Sequence, residues 1–443
     1  MSTSNGTKNK YFGTDGIRGV YGETLTDSIA LLVGGSLGAS SEGGTVVVGR
    51  DNRTSGESLA RALAEGVLAA GGNVLDLGVV TTPCVACLTA AKGAFAGAMI
   101  SASHNPPSYN GIKIFGADGR KLSADREEEI EARLSEAALA CAETRGRMLP
   151  AEGAVALYAD KVKSAGRLDG LKIVLDCANG AAAAYAPAIF ADMGAEVVAL
   201  NTSRDGNLIN DGCGALFPEV IAAEVVRRGA DMGFSFDGDA DRVIAADEKG
   251  NIVDGDKIIY VLARMLKARG ELPFSTVVGT LHTNMGAEVA LAAHGIKLVR
   301  TDIGDHNVVA RMCAEGFTLG GEQSGHIIIG KYLDTGDGVL AGAVLAKTVL
   351  DAGKPLSELA DCEIYPQVNV NVRTAKKDEI VRDPALLKYA EAVKGMLSDS
   401  GRLMLRGSGT ENKLRIMAES KDPFLAAYAA RSIEMFIRTN FTL

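Results

Sequence analysis

The chain is 443 residues long, 47% hydrophobic and 23% charged, with a formal net charge of −9. That length suggests about three average domains, and the composition is that of a globular protein. The acidic balance argues against a surface for duplex nucleic acid, so an anionic ligand would need local clusters of Arg, Lys and backbone N–H groups.

Residues 1–10 are a short polar leader, and no apolar run approaches the roughly 20 residues of a membrane-spanning helix. The seven Cys are scattered and odd in number, which favours reduced thiols over a disulfide framework. One C-x-x-C pair, Cys84 and Cys87, enters an Ala-rich helical stretch, and we interpret it as buried thiols rather than a redox centre. We expect a cytoplasmic protein with no membrane partner and no nucleic-acid partner.

In chain order, the glycine-rich stretch 11–19 predicts a tight loop from which Arg18 projects, and a helix is predicted from about Asp27 to Leu37. Three segments then repeat one pattern of β-branched strand, glycine-bearing turn, helix and second strand. The first segment has strands at 45–51 and 73–77 with a helix at 56–70 between them. The second has strands at 172–176 and 196–200 with a helix that ends near 193. The third has strands at 276–280 and 297–300 with a helix at 286–293. This is the βαβ pattern of parallel sheets.

The three repeats predict three related α/β domains, over residues 1–154, 155–251 and 252–362. The alternating stretch 367–372 predicts a half-exposed antiparallel strand, so a smaller α+β domain over 363–443 is expected to end the chain. The predicted fold class is therefore α/β with mixed or parallel sheets, in four domains around a central cleft.

A polar turn follows the apolar run 97–100. It contains Ser101, Ser103 and His104, and Lys113 comes shortly after it. Ligands of open α/β sheets bind where strands end, so a hydroxyl here is a candidate nucleophile. Ser, Asn, Pro and Gly are also ordinary turn residues, and a simple strand-ending turn is the alternative.

Three aspartates, Asp237, Asp239 and Asp241, alternate in a segment that follows the strand-like residues 232–236, and Arg242 comes next. From an extended loop the carboxylates can converge on one point, where two of them about 4 Å apart would repel by roughly 4 kcal/mol at an effective dielectric of about 20. A hard divalent cation compensates this repulsion, and oxygen ligands favour magnesium or calcium over zinc. A solvated acidic turn is the alternative.

The same segment matches a calcium-binding EF-hand loop, with Asp237 at its first position and Glu248 at its last. Its sixth position is Arg242, however, where that loop needs glycine, and a strand precedes it where a helix should enter. A calcium-binding module is thus the non-enzymatic alternative, disfavoured by these two departures.

Two further glycine-rich loops carry polar side chains. In the loop 320–326, Glu322 can accept hydrogen bonds from sugar hydroxyls and Ser324 can donate and accept, although the spacing is not that of a nucleophile elbow. In the segment 406–415, successive N–H groups of a Gly-Ser-Gly-Thr turn form an anion-binding nest, and the flanking arginines suit phosphate. Taken alone, each loop is also compatible with an ordinary turn.

Together these parts supply a hydroxyl, a hard-metal site, a hydroxyl-reading loop and a phosphate clamp, which are the functions that phosphoryl transfer needs. The sequence has neither G-x-x-x-x-G-K-[ST] nor a sound G-x-G-x-x-G after a strand. ATP is therefore not the expected phosphoryl donor.

The four motifs, in this order, resemble those of the α-D-phosphohexomutases over essentially the whole chain. The resemblance implies that Ser103 carries the phosphoryl group. The implied ligands of one magnesium ion per subunit are Ser103, Asp237, Asp239 and Asp241. The catalytic candidates beside Ser103 are Arg18, His104, Lys113, Arg242 and His326, and the choice of the group that moves the hydroxyl proton stays open among Arg18, Lys113 and His326.

The resemblance also implies the contacts of a small sugar phosphate. The implied sugar contacts are Glu322, Gln323 and Ser324, and the implied phosphate contacts are Arg406, Ser408, Gly409, Thr410 and Arg415. Gln323 favours the bacterial branch of the family that acts on glucosamine phosphates. That branch implies conversion of glucosamine 6-phosphate to glucosamine 1-phosphate through glucosamine 1,6-bisphosphate, toward UDP-N-acetylglucosamine, and a possible homodimer. Glucose or mannose phosphates are the alternative substrates of the same machinery.

Three residues depart from the family's usual pattern. Asn412 stands where proline is usual, and Gly407 where proline or another residue is common, which predicts a more mobile phosphate loop. His306 stands where arginine or lysine is usual, which weakens the expectation of a phosphate contact from that position.

Overall fold

The computed structural model describes residues 11–13, 15–136, 141–408 and 412–443. These residues form two compact units. The first comprises the chain up to residue 282 together with 295–361, and the second comprises 283–294 and 362–443.

A seven-stranded mixed sheet opens the first unit. Its strands, in chain order, are β1 (Phe12–Gly13), β2 (Gly16–Val20), β3 (Thr45–Arg50), β4 (Asn73–Val79), β5 (Ala96–Ile100), β6 (Tyr109–Gly116) and β7 (Met148–Leu149). Across the sheet their order is β1-β2-β6-β5-β3-β4-β7. Because β3 and β5 are parallel, the carboxyl ends of both strands meet at one sheet edge, which carries residues 51–53 and 101–108.

Four helices accompany this sheet: α1 (Asp27–Ser40), α2 (Gly56–Ala69), α3 (Thr82–Ala91) and α4 (Ala124–Glu136). Side chains of α1, α2 and α4 share one apolar core with β3, β4 and β5. Thr26 and Thr81 cap the starts of α1 and α3 by accepting hydrogen bonds from backbone N–H groups of the first turn, as Thr does at helix N-termini.

A five-stranded sheet follows, introduced by α5 (Ala154–Lys163). Its elements are β8 (Lys172–Asp176), α6 (Ala186–Asp192), β9 (Glu196–Leu200), α7 (Pro218–Arg228), β10 (Met232–Phe236), β11 (Val243–Asp247) and β12 (Ile252–Val253). The strand order is β12-β11-β10-β8-β9. β10 and β11 form an antiparallel pair, in which Phe236 lies opposite Val243, so the residues between them form a short connection at the end of the pair.

A four-stranded sheet completes the first unit, in the order β14-β13-β15-β16. Its strands are β13 (Thr276–Thr280), β14 (Lys297–Thr301), β15 (Leu319–Gly321) and β16 (Ile327–Ile329), and the associated helices are α8 (Gly255–Ala268), α10 (Asp305–Glu315), α11 (Gly338–Ala352) and α12 (Leu356–Leu359). The helix between β13 and β14, α9 (Met285–Ala293), belongs to the second compact unit.

The second unit is built on a three-stranded antiparallel sheet in the order β17-β19-β18. Its elements are β17 (Gln367–Arg373), α13 (Lys377–Ile380), α14 (Pro384–Leu397), β18 (Gly401–Gly407), β19 (Lys413–Ser420) and α15 (Pro423–Asn440). Apolar side chains of α14 and α15 pack with those of the sheet in a separate core.

The α/β class and the three predicted βαβ units are confirmed, since β3–β4, β8–β9 and β13–β14 are all parallel pairs. The antiparallel strand at 367–372 is also confirmed. The loop predicted at 320–326 begins two residues later than expected, because Gly320 and Gly321 belong to β15 and pair with β16. The four domain boundaries stay predictions.

None of the helices that the structure describes has the length and apolar character needed to span a bilayer. Cys84, Cys87, Cys177 and Cys213 are buried free thiols. Cys84 and Cys87 lie buried in α3, and burial raises the pKa of Cys87 to about 11, as expected for buried rather than redox-active thiols.

Candidate active site

The polar turn after β5 is held in an unusual backbone conformation. β5 is buried along its whole length, and three residues beyond its end Ser103 adopts a φ of +53°, which L-residues other than Asn and Asp seldom adopt. The N–H of Ser103 donates to Ser101 Oγ at 2.9 Å, and Ser101 Oγ donates to Asp51 Oδ2 at 2.7 Å. Ser101 therefore braces the turn.

A buried arginine clamps the same turn from the end of β3. Arg53 is 1% exposed, and its Nη2 donates to the carbonyls of Ser103 and Asn105 at 2.9 and 2.8 Å. Its Nη1 reaches the carbonyls of Pro106 and Tyr109, and its Nε donates to Asp51. All five guanidinium donors are thus directed at the turn or at its brace.

The hydroxyl of Ser103 faces the aspartate loop. Ser103 Oγ donates to Asp237 Oδ2 at 2.6 Å and lies 3.3 Å from His104 Nδ1. Burial, with Arg242 and Arg18 adding, lowers the pKa of His104 to about 4. The imidazole is therefore neutral at neutral pH.

The three aspartates of the loop between β10 and β11 converge as expected. Asp237, Asp239 and Asp241 are buried, and one carboxylate oxygen from each lies within 4.8 Å of the others. Burial, reinforced by Asp241 and Asp239, raises the pKa of Asp237 well above its usual range. Gly238 permits this approach, since a Cβ there would lie 2.7 Å from the carbonyl oxygen of Ser103.

This donor set fits a hard divalent cation. Asp239 Oδ1 and Asp241 Oδ1 are buried and have no hydrogen-bond partner, and unsatisfied buried carboxylate oxygens are costly. Three convergent carboxylates suit magnesium, which prefers oxygen ligands. The EF-hand alternative is wrong, because strands flank the loop and Glu248 instead accepts hydrogen bonds from Ser357.

Lys113, on β6, occupies the other side of the triad. Its Nζ donates to Asp239 Oδ2 and Asp241 Oδ2, both at 2.8 Å. Burial opposes the charge, but Asp15, Asp239 and Asp241 hold the pKa of Lys113 well above its usual range. Lys113 is thus a cation that offsets part of the negative charge of the triad.

A threonine outside the predicted site also holds the triad. Thr82 Oγ1 donates to Asp239 Oδ2 at 2.5 Å, and the Thr82 N–H donates to the Asp239 carbonyl at 3.0 Å. Thr82 therefore fixes both the backbone and the carboxylate of one metal-ligand candidate.

The two predicted arginines lie at the edge of this cluster. The N–H of Arg242 donates to Asp237 Oδ1 at 3.2 Å, and its Nε makes no hydrogen bond but lies 3.8 Å from Asp241 Oδ1. Arg18 pairs with Asp15 and donates to Asn105 Oδ1 at 3.1 Å.

The loop between β15 and β16 presents the predicted sugar-reading groups. Ser324 Oγ is buried without a partner, and Glu322 Oε1 accepts from the N–H of Gly304 at 3.3 Å. Gln323 Nε2 donates to Asp254 Oδ2 at 3.4 Å. His326 Nδ1 lies 3.8 Å from Asp241 Oδ1, which joins this loop to the metal-ligand candidates.

The predicted phosphate clamp lies in the second unit. Arg406 on β18 and Arg415 on β19 are directly opposite each other, and Arg415 donates to Ser408 Oγ at 3.4 Å. Burial, together with the charge of Arg415, lowers the pKa of Arg406, so an anion between them would relieve the repulsion of facing like charges. Gly409 and Thr410 lie outside the described residues, as does the middle of the loop predicted to be mobile.

The second unit adds a cation that the sequence analysis missed, since Lys377 Nζ donates to the Ser408 carbonyl. His306, the departure from the family pattern, is exposed, and its N–H donates to Asp305 Oδ1. The other missed residues that hold the site are Asp15, Asp51, Arg53, Thr82, Lys121, Asn210 and Asp305.

A buried serine hydroxyl set against convergent aspartates, with a polar loop beside them, is an arrangement suited to phosphoryl transfer. Family models for domains I, II, III and IV of phosphoglucomutase/phosphomannomutase match residues 9–140, 156–250, 254–365 and 368–434. The chain belongs to this family, the α-D-phosphohexomutases.

Individual relatives agree over almost the full length. A phosphoglucosamine mutase of Geobacillus kaustophilus is 46% identical over 442 residues, covering 97% of this chain and 98% of the relative. One of Corynebacterium jeikeium is 44% identical, covering 94% and 96%. A solved structure of a phosphoglucomutase/phosphomannomutase family protein of Burkholderia thailandensis superposes with a TM-score of 0.83 at 25% identity, covering 96% of this chain and 97% of that chain.

Proposed function

We propose that this chain interconverts glucosamine 6-phosphate and glucosamine 1-phosphate. The observation that carries the proposal is the Ser103 hydroxyl, held 2.6 Å from the aspartate triad, in a chain 44–46% identical to phosphoglucosamine mutases over nearly its whole length. Among the predicted alternatives, glucose and mannose phosphates have no comparable support.

The reaction is two phosphoryl transfers through Ser103. Phosphorylated Ser103 gives its phosphoryl group to the 1-hydroxyl of glucosamine 6-phosphate, which leaves a serine hydroxyl and glucosamine 1,6-bisphosphate. The bisphosphate then returns its 6-phosphoryl group to Ser103 Oγ, which releases glucosamine 1-phosphate and restores the phosphoserine. The enzyme is therefore an isomerase by outcome and a phosphotransferase by mechanism.

The residues of the first unit have distinct parts in this cycle. Asp237, Asp239 and Asp241 would hold one magnesium ion together with Ser103, and that ion would offset the negative charge of the transferring group. Arg53 and Ser101 fix the serine backbone, and Asp237 orients the free hydroxyl.

Lys113 and His104, the two basic side chains beside Ser103 and the triad, differ in charge. Lys113 donates to two carboxylates and is the counter-cation of the triad, whereas neutral His104 lies 3.3 Å from Ser103 Oγ. We assign to His104 the stabilisation of the serine oxygen. The sugar hydroxyls meet Glu322 and Ser324, whose buried oxygen lacks a partner.

We further propose that the non-reacting phosphate binds between Arg406, Ser408 and Arg415, and that the protein acts in the cytoplasm. Cross-strand arginines give bidentate donors of the geometry that phosphate takes.

The test is direct. Ser103→Ala should abolish turnover, whereas Ser108→Ala, an exposed serine in the same turn, should keep it. Mass spectrometry of the wild-type protein should find a phosphoryl group on the peptide that contains Ser103. Among glucosamine, glucose and mannose phosphates, the kcat/KM should be highest for glucosamine. Full activity of Ser103→Ala would reject the mechanism, and a preference for mannose would reject the substrate.

A further inference from the structure

Six ionisable side chains form a closed ring in the first unit, in which Lys or His alternates with Asp. Lys113 Nζ lies 3.6 Å from Asp15 Oδ2, and Asp15 Oδ1 pairs with Lys121. Lys121 Nζ lies 2.5 Å from Asp305 Oδ2, which lies 3.4 Å from His326 Nε2. The ring closes through Asp241, which lies 3.8 Å from His326 Nδ1 and 2.8 Å from Lys113 Nζ.

Half of this ring has no part in the proposed reaction. Lys113, His326 and Asp241 adjoin the reacting centre, but Asp15, Lys121 and Asp305 touch neither Ser103 nor the metal-ligand oxygens. Beyond one another, their ion-pair partners are Lys113, His326 and Arg18. A side chain that reaches the reacting centre only through other side chains can act on the reaction only by fixing where they lie.

The Lys121–Asp305 pair links two sheets. Lys121 follows β6 and is paired in a β-bridge with Phe115, so it is tied to the strand that carries Lys113. Asp305 is the first residue of α10, where the positive end of the helix dipole stabilises a carboxylate. The ion pair between Lys121 and Asp305 therefore connects β6 with the sheet that carries His326.

Limited solvent access makes this pair stronger than an ordinary surface ion pair. The side chains of Lys121 and Asp305 are 19% and 14% exposed. The neighbouring pair between Arg120 and Asp334 joins the same two parts of the chain, but its side chains are 39% and 36% exposed. Exposed pairs are screened by water and contribute little, which makes Arg120 a matched control.

His326 is confined on its other side as well. The Gly336 N–H donates to His326 Nε2 at 3.2 Å, and a Cβ at position 336 would lie 2.2 Å from that nitrogen. This backbone contact and the lack of space beside position 336 leave the imidazole little room to tilt.

We propose that Lys121 and Asp305 are positioning residues that hold Lys113 and His326 in register across the two sheets for phosphoryl transfer. The inference rests on the proposed function. Neither residue touches the reacting atoms. A displacement of about 1 Å can cost roughly 100-fold in rate, so loss of the pair should lower the rate of the chemical step and leave sugar-phosphate binding almost unchanged.

The experiment compares Asp305→Asn, Lys121→Met and the double variant with Lys121→Arg and Arg120→Gln in the full-length protein. Asp305→Asn and Lys121→Met should each lower kcat at least 10-fold, with KM for glucosamine 6-phosphate within 2-fold of wild type. The double variant should be no slower than the slower single variant, because both changes break one link. Lys121→Arg should regain most of the activity, and Arg120→Gln should match wild type.

Asp305→Asn is nearly isosteric and tests the proposal even if Lys121→Met fails to fold. An unchanged kcat in Asp305→Asn, additive losses in the double variant, or an equal loss in Arg120→Gln would overturn it. If the wild type instead prefers glucose or mannose phosphate, the proposed substrate fails. The same kcat comparison with the preferred substrate then still decides the positioning role.

Discussion

Replacing Arg53 should disorder the turn that carries Ser103. Arg53→Met keeps the aliphatic stem of the side chain and removes the guanidinium. Four turn carbonyls and the carboxylate of Asp51 then lose a donor. Asn210 still donates to the carbonyls of Ser103 and Asn105, so the turn is weakened rather than released.

The size of the effect follows from burial. Both side chains of the Arg53–Asp51 pair are 0% exposed, and removing one partner of a buried ion pair costs about 3–5 kcal/mol. The cost is limited because Asp51, whose pKa burial already raises, can take up a proton when its partner is lost. We therefore expect a loss near the lower end, about 3 kcal/mol. A shift of the serine by about 1 Å would also slow turnover roughly 100-fold.

Hydrogen exchange measures this locally. A local loss of about 3 kcal/mol corresponds to exchange more than roughly 100-fold faster, and it should be confined to amides between residues 101 and 111. Arg126→Met is the control, because Arg126 pairs with Glu129 at 48% and 59% exposure and should change neither exchange nor kcat. The reasoning is refuted if Arg53→Met exchanges these amides as slowly as the control and also turns over as fast as the control.

Three further changes test separate contacts. Thr82→Val removes the hydrogen bond to Asp239 at similar side-chain volume, and loss of a contact to a metal ligand typically weakens metal binding about 10–100-fold. The magnesium concentration for half-maximal activity should rise about 10-fold. An unchanged concentration would contradict a role of Thr82 in holding the metal ligand. Ser101→Ala should still be phosphorylated on Ser103 but should turn over more slowly, and loss of the phosphoryl group by mass spectrometry would contradict the assignment. Burial raises the pKa of Asp337 to about 7, so the folded protein keeps a proton that the unfolded chain releases near pH 4. As the pH rises from about 4 to 7, the free energy of unfolding should therefore fall by up to roughly 4 kcal/mol. Asp337→Asn should abolish that part of the pH dependence. The prediction is contradicted if the difference in urea midpoint between Asp337→Asn and wild type is the same at pH 4.5 and at pH 7.5.

The strands and the chemistry-bearing loops could be predicted from local pattern. Runs such as 45–51 and 172–176 are β-branched and buried, and their spacing from the following helix indicates a parallel crossover. The aspartate triad was predictable because its members alternate within one loop. The pattern failed at Gly320 and Gly321, since glycine marks turns in most sequences but here pairs across a sheet.

The supporting contacts could not be predicted, because they join residues far apart in the chain. Thr82 and Asp239 are separated by 157 positions, and Arg53 reaches a turn 50 positions away. Neither Thr82 nor Lys121 belongs to a motif, and their importance comes only from the fold that brings them to the site. Predicting such contacts needs the relative placement of sheets, which strand periodicity does not contain.

The choice between Ser101 and Ser103 shows what geometry adds to chemistry. The two hydroxyls are chemically equal, and in a continued strand residues two apart would share a face. The left-handed φ of Ser103 breaks that relation. Ser101 Oγ then donates to Asp51 and accepts from the Ser103 N–H, so its hydrogen-bonding capacity supports the turn. Ser103 Oγ is turned to the triad, and the braced backbone of one serine is the reason that the other can present its oxygen to the transferring phosphoryl group.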